Sequence, residues 1–178
     1  MATTGDFGMF GLFKKKMAPQ EPVELAAVVP VDATPERFFE LVDFSDPANA
    51  KRELGHEVRQ TGDGNFVLVM SFMPDLEFPI VVEKCERPVL YAYSTQMPEG
   101  VGNLVRSEES YQIEKSEEGG CIVVLTMKAE LQPGLTMKEY NREIDMLTLS
   151  LQNSMAKMKL HAEGGIEDVR EFERQQAG

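Results

Sequence analysis

The stretch VELAAVVPVDATPERFFELVDFSD, residues 23–46, changes its hydrophobic period half-way along. Val23, Leu25, Ala27, Val29 and Val31 share one parity, so a strand would place all five on one face. Thr34 and Pro35 then form a helix start. The threonine hydroxyl can accept an otherwise unpaired N–H, and proline has no N–H to leave unpaired. Phe38, Phe39, Leu41 and Val42 supply an apolar stripe, and Asp46-Pro47 stops the helix. A second helical turn is expected through Pro47–Ala50. The stretch therefore predicts a strand, a capped short helix and a break.

Working outward, the next eighty or so residues read as strands joined by tight turns. Asp63-Gly64 marks a hairpin between GHEVRQ and FVLVMSFM. LEFPIVVEKCE carries Pro79, which predicts an edge or a bulge there. Arg87-Pro88 breaks the chain before VLYAYSTQM, and PEGVGN is a loop. LVRSEESYQIEK alternates as a half-exposed strand should, SEEGG turns, and CIVVLTMKAEL closes the series. Consecutive strands with short connections imply an antiparallel meander.

The period then returns to that of a helix. Thr136 and Glu139 form a capping box, and Met137, Tyr140, Ile144, Leu147, Leu151, Met155 and Met158 recur at steps of three and four. Gly164-Gly165 ends the run. At 1.5 Å per residue such a helix is roughly 40 Å long, enough to cross a sheet.

Composition limits the function classes. The 178 residues suit one domain, with 42% hydrophobic and 27% charged residues. The formal net charge of −12 repels phosphate and argues against a nucleic-acid partner. No stretch is long and apolar enough to span a bilayer. Cys85 and Cys121 lie apart inside strand-like runs and read as reduced, buried thiols of a cytoplasmic protein. His56 and His161 lack ligand spacing, so neither a metal nor a cofactor is expected. Residues 7–17, FGMFGLFKKKM, have their lysines after the apolar part, the reverse of a secretory signal. They read as part of a flexible tail or as a weak docking peptide for a membrane or a protein.

The order of elements is one strand, one or two short helices, a six-strand meander and one long C-terminal helix. That order, carried by VVPVDATPERFFELVDFSD and EYNREIDMLTLSLQNSMAKMKLHAE, resembles the START-like superfamily, also called SRPBCC or Bet v 1-like. The resemblance implies an α+β helix-grip fold: a curved antiparallel sheet of about seven strands wrapped around the C-terminal helix. It covers residues 22–163. Residues 1–21 are a flexible tail, and residues 164–178 form a second tail with room for a frayed helical turn or two. Families of this shape commonly hold hydrophobic or amphipathic molecules between sheet and helix, so a non-catalytic binder or carrier is the leading expectation. An interaction or assembly protein using its acidic surface or its Phe-rich N-terminus is one alternative, and a polyketide cyclase-like enzyme is another.

Parity nominates the residues that would face such a cavity. Phe66, Leu68, Met70 and Phe72 share a strand face, followed by Phe78 and Ile80. Ligand contacts are expected from Phe72, Phe78, Tyr91, Tyr93, Tyr111 and Met127 on the sheet, and from Tyr140, Ile144, Leu147 and Leu151 on the helix. The tyrosines stand out, because a phenol in an apolar pocket needs a partner. The acid–base candidates are Glu77, Glu83, Glu108 and Glu109, with Arg106 nearby. They read as a solvated sheet face, and no catalytic residue is nominated.

Overall fold

A computed structural model describes residues 16–176. Strand β1 (Val23–Val31) leads into α1 (Pro35–Val42) and α2 (Ala50–Glu53). Six strands follow: β2 (Glu57–Gly62), β3 (Asn65–Val69), β4 (Glu77–Glu86), β5 (Leu90–Gln96), β6 (Leu104–Lys115) and β7 (Cys121–Leu131). Helices α3 (Met137–Gly164) and α4 (Ile166–Gln176) complete the chain. The strands form one antiparallel sheet in the order β1-β7-β6-β5-β4-β3-β2. The meander β2–β7 is thus extended by β1, which pairs beside the last strand.

Local chemistry accounts for the boundaries. The Thr34 hydroxyl accepts the Arg37 N–H at 3.2 Å. Thr136 accepts the Glu139 N–H at 3.3 Å, while the Glu139 carboxylate accepts the Thr136 N–H at 2.8 Å. The second short helix begins later than the sequence suggests, because Asn49 caps it: its side-chain oxygen accepts the Lys51 N–H at 3.0 Å. Register shifts at Gln60/Gly62, Val82/Lys84 and Leu104/Arg106 bend the sheet. Pro79 lies just before the pairing of β4 with β5 begins at Ile80, so its missing N–H takes nothing from that ladder. Gly120 turns β6 into β7 with φ +71°, and a Cβ there would lie 2.2 Å from the Val31 carbonyl oxygen.

The core occupies the concave side of the sheet. Phe38, Phe39, Leu41 and Val42 of α1 are buried against it. The Phe39 and Tyr91 rings meet edge-on at 5.6 Å, as do Phe44 and Tyr93 at 5.0 Å. Along α3, only Leu151, Met155 and His161 are fully buried, all in the C-terminal half. Tyr140, Ile144 and Leu147 are half-buried, and Met146 and Leu149 are exposed. α4 follows Gly165 and buries Val169, and Lys157 and Glu173 join it to α3 at 2.7 Å. Residues 16–18 meet the start of α3: the Lys16 carbonyl accepts the Met137 N–H at 2.9 Å. The Phe-rich segment 7–13 lies outside the described residues.

Two expectations need correction. The strand predicted through FVLVMSFM stops at Val69, and Phe72 stands 69% exposed in the following turn, edge-on to His56. Turn geometry between β3 and β4 overrides strand propensity there. Cys121 is buried but Cys85 is exposed, because it lies at the end of β4, beside the Arg87-Pro88 turn, where the strand has run past the core.

Candidate functional site

A cavity of about 220 Å³ lies between the sheet, the α1–α2 segment and α3. Two cross-strand rows build its floor. Tyr93 opposes Glu109, and Glu109 opposes Met127; one step along, Tyr111 opposes Leu125. These residues have one parity on their strands and so point to the same side. Leu41, Val42 and Phe44 form a wall from the first helical segment, and Leu151 and Met158 close the roof from α3. The exposed Ser150 and half-buried Leu54 mark where the cavity meets the surface, between α2 and α3.

Its polar groups are concentrated. The Tyr93 phenol donates to Glu109 Oε2 at 2.7 Å. Tyr111 stacks on Tyr93 with ring centroids 6.5 Å apart, and its phenol lies beside the Ser154 hydroxyl. Lys51 and Lys157 also line the cavity. Lys157 is paired with Glu173. The Lys51 ammonium has no hydrogen bond or ion pair among the described residues.

Burial sets the protonation chemistry. It raises the Glu109 carboxyl above the ordinary glutamate range, an effect only partly offset by the Tyr93 hydrogen bond and the charge of Lys51. Burial lowers the Lys51 ammonium, with Glu109 opposing and Lys157 reinforcing that change. The phenols of Tyr93 and Tyr111 are raised, first by burial and then by the Glu109 charge. Each of the four groups is driven towards its neutral form.

α2 is held rigidly enough to aim Lys51. The buried Asn49 side chain donates to the carbonyls of Leu41 and Asp43, each at 3.1 Å, and so joins the end of α1 to the start of α2. Arg52 donates to the carbonyls of Val58 and Phe44 at 2.8 and 3.0 Å. Glu53 bonds the buried His161 of α3.

Of the residues nominated from sequence, Tyr93, Tyr111, Met127 and Leu151 line the cavity. Tyr91 lies behind it, where its phenol oxygen accepts the Phe44 N–H at 3.0 Å. Phe78 is buried in the core away from the lining, and Tyr140, Ile144 and Leu147 also stand outside it. Phe72 is on the surface. Glu109 corrects the sequence reading, which placed it on the solvated face with Glu77, Glu83 and Glu108. Parity carried the signal, since Glu109 is two residues from Tyr111 on one strand. The others do lie outside: Arg106 pairs with Glu108 at 2.9 Å, and Arg59 with Glu77 at 2.5 Å. No sequence pattern marked Lys51, which reaches the site only through the folding of α2 over the sheet.

No protein-family model matches the chain, and no curated protein matches it in sequence. Solved structures do match in shape. BexL, a di-domain ARO/CYC from the BE-7585A biosynthetic pathway, superposes with a TM-score of 0.58 at 19% identity, over 82% of this chain and 52% of BexL. This chain thus spans about half the length of that di-domain protein. Truncated norcoclaurine synthase from Thalictrum flavum gives 0.56 at 12% identity, over 82% of this chain and 96% of that one. Ara h 8.0201 gives 0.55 at 8% identity, over 73% and 92%.

The chain has the helix-grip fold. Within the helix-grip, Bet v 1-like architecture, the space under the long helix is set by sheet curvature, and its chemistry by whichever side chains the rows deliver. Here the rows deliver Tyr93, Glu109 and Tyr111. Among the described residues, no helix is long and apolar enough to cross a membrane, and no cluster of His, Cys, Asp or Glu could hold a metal ion.

Proposed function

We propose that the protein binds a small amphipathic molecule in the cavity between sheet and α3. Its apolar body would lie against Leu41, Val42, Phe44, Leu125, Met127 and Leu151. Its polar end would meet the Tyr93–Glu109 pair. The observation that carries this reading is that pair, hydrogen-bonded at 2.7 Å on an otherwise largely apolar floor. Polar groups that converge in an apolar hollow fix the orientation of a ligand.

A second reading is an enzyme resembling the ARO/CYC proteins. It is favoured by a carboxyl held above its usual range beside two phenols and an amine, since neutral acids of this kind can transfer protons to a carbonyl or enol at neutral pH.

Titration with anilinonaphthalene sulfonate, followed by fluorescence and by native mass spectrometry, tests the binding reading. The wild-type protein is expected to take up one dye with micromolar affinity. Leu151→Trp, which fills the hollow, is expected to weaken uptake about tenfold, equivalent to about 1.4 kcal/mol. Equal affinity in both proteins would overturn the proposed site.

A further inference from the structure

Lys51 is the group in this site whose chemistry binding alone does not use. Two lysines line the cavity, and they differ in one respect. Lys157 is neutralised by Glu173 at 2.7 Å. Lys51 also lines this space, and its ammonium makes no ion pair or hydrogen bond among the described residues. The charged groups acting on it are Glu109 on the sheet, Lys157 on α3 and Glu173 on α4. The side chain is half-buried, so its charged form keeps only part of its solvation, and burial biases the amine towards shedding a proton and presenting a lone pair.

We infer that Lys51 forms an imine with the carbonyl group of a small aldehyde or ketone bound in the cavity. The inference rests on the binding reading above, because the carbonyl compound must first enter the hollow. The amine lone pair adds to the carbonyl carbon, the carbonyl π pair goes to oxygen, and a proton passes from nitrogen to that oxygen. The resulting hydroxyl then leaves as water with one further proton. Nitrogen loses its remaining N–H proton as its lone pair closes the C=N bond. One amine and one carbonyl give one imine and one water, with no outside oxidant or reductant.

The surroundings suit each step. Leu54, Met158 and Leu151 give the amine an apolar approach. The Tyr93 O–H, held on the sheet wall by its 2.7 Å hydrogen bond to Glu109, is a proton donor for the departing oxygen. Burial also favours the unprotonated amine, which is the nucleophilic form.

The test uses the intact chain, limiting 3-phenylpropanal and sodium cyanoborohydride at pH 7, followed by peptide mapping. Reduction converts an imine into a stable secondary amine on the lysine that formed it. Lys51 is expected to be labelled at least tenfold faster than any other amine in the chain. Lys51→Arg is expected to lose that fast adduct. Labelling of Lys51 no faster than the exposed lysines overturns the inference, and the mapping on wild-type protein decides this whether or not the variant folds. Dye uptake without a fast Lys51 adduct removes the imine and leaves the binding reading intact. Absence of both removes both.

Discussion

Glu109 is a half-buried acid whose surroundings favour the protonated form, and that preference is measurable as stability. Its carboxyl is raised in the folded chain, chiefly by burial. For a group raised on folding, the favourable contribution is complete below the unfolded value and is lost as pH climbs through the folded one. The ionised form of the carboxylate therefore weighs against the fold, increasingly as pH rises through the folded value. Glu109→Gln keeps an oxygen to accept the Tyr93 O–H and removes the ionisation. The variant is expected to be more stable than wild type at pH 7 by about 1 kcal/mol, with the gap closing towards pH 4. Urea unfolding at the two pH values reads this directly. A variant less stable at pH 7 would show that Glu109 is ionised and well solvated. The same substitution, by replacing the carboxylate that holds the Tyr93 O–H, is expected to slow the Lys51 reaction without abolishing it.

At the scale of elements, α2 matters more than its four residues suggest. Asn49 joins it to α1, Arg52 ties it to β2 and to the Phe44 turn, and Glu53 reaches His161 on α3. His161 is 1% exposed, so its ring is both packing and partner. His161→Ala is expected to cost about 2–3 kcal/mol by urea unfolding, from a lost hydrogen bond and an unfilled space. Hydrogen exchange is expected to quicken at residues 50–54, because the clasp between α2 and α3 is gone. Unchanged exchange in α2 would mean that Asn49 and Arg52 hold it unaided. These links were not readable in the sequence, since each joins residues far apart along the chain. The caps were readable: Thr34-Pro35 and Thr136/Glu139 act within four residues, and local chemistry decides them. The apolar stripe of α3 was also legible, but not which half of it is buried. The stripe is continuous, whereas the surface it packs on is not, so Leu151 and Met155 are covered while Ile144 and Leu147 are only half covered.

For the molecule as a whole, the ordered change of period from strand to short helix to meander to long helix was sufficient to indicate the architecture. Curvature was not, because it depends on bulges such as Val82/Lys84 that leave little trace in composition. Curvature in turn decides how much space is left under α3, and so whether the interior is a core or a site. Protein interiors are normally close-packed, and a hollow forgoes contacts that would stabilise the fold. If the hollow is kept for a ligand, filling it must strengthen the fold and weaken binding together. Ser154 tests this trade, since it lines the cavity from α3 and is half-buried. Ser154→Leu adds apolar surface inside the void and is expected to raise stability by about 1 kcal/mol. Dye affinity is expected to fall about tenfold in the same protein, by about 1.4 kcal/mol. A gain in stability with undiminished binding would place the dye elsewhere on the molecule. A loss of stability would mean that the space beside Tyr111 is already filled to normal packing density, and that what the sheet and α3 enclose is core.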